Sequence, residues 1–196
     1  LDGLIKHNGP ILNKDKYENI LGKNIFKNKI NYIKSPSLEA QLSSISDDIA
    51  YNSHDLEDGL KSNLFKLSDL KNIPVLNKIV LKHKKKQKKY SIDIIIRQII
   101  RETINEMVSD VIETTKKNLK KNKILNLTDV YNAKNQIVTF SDKMKKFDNQ
   151  IKSFLKKKMY FHQKVHSKTN LGRNIIKKLF VKIRKNPKKF INNIRN

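Results

Sequence analysis

Residues 37–60, SLEAQLSSISDDIAYNSHDLEDGL, decide how the rest of the chain is read. At about 100° per residue, Leu38, Leu42, Ile45, Ile49, Leu56 and Leu60 fall within about 60° of one another, which marks one side of a helix. Ser37, just after Pro36, can cap its start. Asp47, Tyr51 and Asp55 recur every fourth residue and lie within about 80° on the opposite side. One side is expected to pack into a core while the other presents carboxylate, phenol and carboxylate in a row. Such a polar row often means only solvent. Here it stands in a chain where basic residues dominate, so Asp47, Asp48, Asp55, Glu57 and Asp58 form a natural seat for a divalent cation. A tyrosine among carboxylates also offers a hydroxyl and a flat face to a sugar or base.

Outward from this helix the spacing predicts more helices. Residues 1–7 read as a helix end stopped by Asn8-Gly9-Pro10. Residues 13–34 are polar, with room for one short helix in a loop. A boundary falls near Pro74, and residues 82–89 form a basic run, read either as a solvated loop between helices or as a phosphate-binding or nucleic-acid patch. Residues 91–119 carry Ile95, Ile99, Ile100, Ile104, Met107, Val108, Val111 and Ile112 at helical spacing, which predicts a wide buried face. Residues 125–140 are irregular, although 137–140 have β-type composition. Ser141 opens a helix with Met144, Phe147, Ile151, Phe154 and Leu155 on one side. A last helix bears Leu171, Ile175, Ile176, Leu179, Phe180 and Ile183, ended by Pro187. No heptad persists and no repeat appears. The fold class expected is all-α, an irregular bundle of about five helices in one domain over residues 1–196.

Composition narrows the function classes. The chain has 196 residues and no cysteine, which excludes a disulfide scaffold and a thiolate-held metal. No run approaches the ~20 apolar residues of a membrane span, so no membrane partner is expected. Lys plus Arg number 43 against 18 Asp plus Glu, a net charge of +25. Two readings of that charge stand: a polyanionic partner such as nucleic acid or a phosphate-bearing substrate, or the Lys, Asn and Ile bias of an AT-rich genome.

The residues also carry a resemblance. SLEAQ followed by DDIAYN, HD and DG, together with LDGLIKHNGPI, resembles the bacterial deoxyguanosinetriphosphate triphosphohydrolase-like proteins, of the HD-domain phosphohydrolases. The helix over 91–119 and the segment MYFHQKVHSKTNLGRNIIKKLF are similar in kind. The resemblance implies an HD-type helical fold and an enzyme that hydrolyses a deoxynucleoside triphosphate (dNTP) to the deoxynucleoside and inorganic triphosphate. It assigns Asp47 as one ligand of a divalent metal of Mg²⁺ or Mn²⁺ type, Tyr51 to the nucleotide's sugar and phosphates, and Asp55 to the sugar 3′-hydroxyl. Arg97 and Arg101, on successive turns, are candidates for the triphosphate because arginine binds phosphate bidentately; they are equally readable as exposed helix residues. The resemblance further implies a cytoplasmic homo-oligomer.

The pattern is incomplete in this chain. The family's first His, its His-Asp pair and its catalytic His and Glu precede the KHNGP segment, so no catalytic residue is expected among residues 1–196. His54-Asp55 is the one adjacent His-Asp pair, and its Asp already has the sugar role. His7 is read as structural. The expectation is a C-terminal portion, inactive alone, whose metal is completed by residues absent from it. The competing reading is a basic helical protein that binds single-stranded nucleic acid without catalysis; a third is a non-catalytic assembly subunit.

Overall fold

A computed structural model describes residues 2–13, 15, 18–19, 31–84 and 89–191. The fold is all-α, 76% helical, with no strand among the described residues. The helices are α1 (Asp2–Ile5), α2 (Leu38–Lys61), α3 (Pro74–Lys84), α4 (Ile92–Lys121), α5 (Leu127–Asn132), α6 (Asp142–Leu155), α7 (Gln163–Lys185) and α8 (Pro187–Ile191). A 3₁₀ turn, Leu67–Asn72, precedes α3, and a π turn, Lys156–Tyr160, follows α6. Four of the longer helices, α2, α4, α6 and α7, lie where the apolar spacing predicts them, whereas α3 occupies a stretch read only as a boundary at Pro74 and takes in Lys82, His83 and Lys84 from the start of the basic run. The chain forms two compact units, Leu1–Lys152 and Ser153–Asn196. The loop expected over 13–34 and the middle of the basic run, residues 85–88, fall largely outside the described residues.

In the first unit α2 packs against α4, α4 against α3, and α1 against the start of α2. The α1 end is punctuated as expected: Gly9 adopts φ +105° and its N–H donates to the Lys6 carbonyl at 2.8 Å. Gly3 lies close over Ala40, where a Cβ would come within 3.2 Å of the Ala40 Cβ, so α1 can sit tightly on the first turn of α2. The Ser37 Oγ accepts from the Ala40 N–H, capping α2. At the other end the Leu64 N–H reaches back to the Gly59 carbonyl at 3.0 Å, with Asn63 in the left-handed region at φ 54°.

Leu56, Leu76, Ile99, Met107 and Ile151 have no exposed surface, and each contributes about 1.5–3 kcal/mol of burial. Two apolar stripes are narrower than their sequence implies. On α2, Leu42 is half exposed, while Gln41, Asn52 and Ser53 are buried beside Ile49 and Leu56. On α4, Ile95, Ile99, Ile100, Met107 and Val111 are buried as expected, but Val108 and Ile112 are largely exposed. At thirty residues α4 runs about 45 Å, well past its eleven-residue neighbour α3. Among the described residues its flank at Val108 and Ile112 stays partly exposed.

Gly59, of the Asp-Gly pair closing the diagnostic stretch, has a packing reason. A Cβ there would overlap the ring of Phe65, itself 3% exposed and unable to swing away. In an open helix Gly→Ala stabilises by about 1 kcal/mol. Here overpacking should win, and Gly59→Ala is expected to cost about 1–2 kcal/mol. In a Phe65→Leu background the same change should become neutral or stabilising. Urea denaturation of the four proteins in the cycle measures both signs.

Candidate functional site

Asp47, Tyr51 and Asp55 lie on one continuous helix, α2, on the side away from its buried stripe. Asp47 is exposed, the Tyr51 ring is 66% exposed, and Asp55 is half-buried. Asp47 and Tyr51 therefore face outward, with Asp55 half-buried one turn further on. Arg97 and Arg101 are also exposed, on the outer face of α4 opposite its buried stripe. Because α2 and α4 pack through their inner faces, the arginines project from a different helix surface than the row.

His7 is placed where its sequence gave no hint. Its Nε2 lies 3.6 Å from the Asp47 Oδ2, an ion-pair distance when the imidazole is protonated. The turn after α1 brings the KHNGP segment to the flank of α2, and the histidine's place follows from that packing alone. Lys6, beside it, is buried. The sequence reading of His7 as merely structural missed this juxtaposition; only the contact between α1 and α2 reveals it.

The other motif residues hold the row in place. Gln41 is buried; its Oε1 accepts from the Ile137 and Val138 N–H groups, and its amide donates to the Pro36 carbonyl. Asn52 donates to the Asp148 Oδ1 at 2.7 Å, and Lys152 bridges Asp148 (2.9 Å) and Asp48 (3.1 Å). Thus Asp48 and Asn52 tie α2 to α6, while Asp47 and Tyr51 on the same turns face outward. Neighbouring polar residues are divided between anchoring and display.

Burial raises the Asp148 carboxyl above its ordinary range, and the Lys152 hydrogen bond only partly offsets it. Burial also disfavours charged Lys152, but its two carboxylate partners more than compensate, and its ammonium is held more firmly than usual. The sign for stability follows. With its folded pKa raised, Asp148 binds its proton more tightly in the native state. Its contribution is full below the unfolded-state value and declines as pH rises from there through the folded one. The stability of wild type relative to Asp148→Asn should therefore fall as pH is raised from 3 to about 6. Paired thermal melts across that range test it; a difference that grows with pH would contradict the reading.

The donor set for a metal is short. Among the described residues no group of three or more His, Asp or Glu side chains converges as a metal site. Asp47 with His7 supplies one carboxylate and one nearby imidazole, and a divalent site needs more. The described residues alone do not fit such an ion. A cavity of about 730 Å³ lies elsewhere, between α3, α4 and the start of α6; it is lined by Lys78, Lys82, Glu102, Glu106 and Lys143 among others, and none of the row lines it.

Residues 138–196 match the phosphohydrolase-associated domain. A protein of Pelagibacter ubique named deoxyguanosinetriphosphate triphosphohydrolase-like protein is 50% identical over 192 residues, 98% of this chain and 52% of its own length. Relatives of the same name from Bartonella quintana and Rickettsia typhi are 39% and 36% identical, covering 95% and 84% of this chain and 48% and 42% of their own lengths. The chain spans about half the length of the curated relatives it matches. The resemblance read from the motifs is thus borne out across almost the whole chain.

Proposed function

We propose that this chain is the nucleotide-contacting part of a cytoplasmic, metal-dependent dNTP triphosphohydrolase, which splits a deoxynucleoside triphosphate into deoxynucleoside and inorganic triphosphate. The observation that carries the reading is the row of Asp47, Tyr51 and Asp55 on α2, a helix that Gln41, Asp48 and Asn52 tie to neighbouring segments. The names of the relatives supply the substrate class.

Asp47 contributes one carboxylate to a divalent metal whose remaining ligands lie outside the described residues. Tyr51 presents a flat apolar ring and a phenol hydroxyl to the sugar and phosphates. Asp55 accepts from the sugar 3′-hydroxyl, a hydrogen bond that a substrate lacking the hydroxyl cannot make. Arg97 and Arg101 are candidates for the triphosphate, reached from a different helix surface. The His7 imidazole orients the Asp47 carboxylate. The intact enzyme is a homo-oligomer.

The test joins this chain to the part of the Pelagibacter ubique relative that it does not match, as a single polypeptide. That protein is incubated with Mn²⁺ or Mg²⁺ and dGTP, and the products are resolved. Release of intact triphosphate and deoxyguanosine supports the reading; stepwise release of monophosphate, or none, overturns it. The net charge of +25 favours a second reading, binding of single-stranded nucleic acid. It predicts salt-sensitive binding that survives loss of Asp47 and weakens when Lys82 and Lys84 are neutralised.

A further inference from the structure

Helix α7 is apolar over about half its circumference, by helical spacing. Leu171, Ile175, Ile176, Leu179, Phe180 and Ile183 share that face, and all are exposed. No residue of α7 is buried. Lys164, Arg173, Lys177, Lys178 and Arg184 line the flanks and the opposite face, and no acidic residue follows Asp148 anywhere in the chain. A continuous apolar face with a charged rim is what soluble proteins keep for a partner.

Several observations choose the occupant. Two copies of α7 would bring rims of one sign together, which opposes self-association. The helix lies inside the segment matched by the phosphohydrolase-associated domain, so its pattern belongs to a domain that accompanies phosphohydrolases. The relatives carry, beyond the region matched here, a comparable length of polypeptide. We propose that the apolar face of α7 is a docking surface for that polypeptide, through an apolar face rimmed by acidic side chains. This does not depend on the roles assigned to Asp47, Tyr51 and Asp55.

The absence of cysteine makes the test direct. Ile176→Cys places a single thiol on the face, at a position 68% exposed where the change should not disturb folding. The full chain is mixed with the unmatched part of the Pelagibacter ubique relative, co-expressed so that both can fold, and thiol labelling is timed. The thiol should label freely in the chain alone and about tenfold or more slowly in the complex, with the protection weakened by salt. Ile176→Asp combined with Phe180→Asp should weaken the complex about tenfold or more while leaving the far-ultraviolet circular dichroism unchanged.

The proposal is overturned if the thiol is already protected in the chain alone, or if no complex forms. It is equally overturned if the double variant binds as well as wild type. Protection by vesicles of anionic phospholipid, with none from the polypeptide, would assign the face to a membrane surface instead. Because these readouts are binding and labelling, they stay distinguishable from the outcome of the dGTP assay.

Discussion

Asp47→Ala is expected to reduce triphosphate release by the joined enzyme by on the order of a thousandfold or more, while leaving the fold intact. The two halves of that expectation rest on different facts. The Asp47 side chain is 56% exposed and, among the described residues, pairs with His7, so truncation removes little that holds α2 in place. Surface changes of this kind usually stay within about 0.5 kcal/mol. If Asp47 is a metal ligand, its loss weakens an interaction worth several kcal/mol in the transition state, at about 1.4 kcal/mol per tenfold in rate. The internal control is the adjacent residue. Asp48 has the same side chain and nearly the same exposure, but it faces α6 and pairs with Lys152. Asp48→Ala should therefore cost up to about 1 kcal/mol of stability and little activity. Steady-state kinetics with urea unfolding of both variants separates the effects. If the two variants lose activity equally, the row is only an acidic surface and Asp47 has no special part in it.

Much of this arrangement was legible before any coordinates. The helices over 37–60, 91–119 and 141–155 follow from apolar spacing, and their starts at Ser37 and Ser141 from capping chemistry; the Ser141 Oγ accepts from the Met144 N–H. The outward row follows from the same periodicity. What spacing cannot express is a polar side chain that belongs inside. Gln41, Asn52 and Ser53 are buried on a face where the pattern offered Leu42. For two of them the partners lie far along the chain, and sequence distance hides them: Asp148 for Asn52, Ile137 and Val138 for Gln41. His7 beside Asp47 is hidden for the same reason. Pro187 shows a milder limit. It does follow the end of α7, but with Asn186 as the break it also begins α8, because proline suits a first helical position.

The segment around Ile137 shows how one such side chain replaces secondary structure, and it leads to the largest expected stability effect. Residues 137–140 have β-type composition, and Ile137, Val138 and Phe140 are buried, yet they pair with no strand among the described residues. Buried N–H groups must still be satisfied. The Gln41 Oε1 accepts from both Ile137 (2.8 Å) and Val138 (3.0 Å), doing with one carbonyl what a neighbouring strand would do with two. Its amide nitrogen meanwhile donates to the Pro36 carbonyl at 2.9 Å, fixing the approach to α2. Gln41→Leu keeps the volume and removes all three bonds. It leaves buried donors without partners, at about 1–3 kcal/mol each, so a loss of about 3–5 kcal/mol is expected. Gln41→Glu keeps the acceptor but loses the donor and buries a charge, which should place it between wild type and Gln41→Leu. Amide exchange at Ile137 and Val138 should accelerate in Gln41→Leu beyond what the global loss of stability explains. If exchange there only tracks global unfolding, the two amides find other partners and Gln41 is not what holds this segment to the helix that carries Asp47.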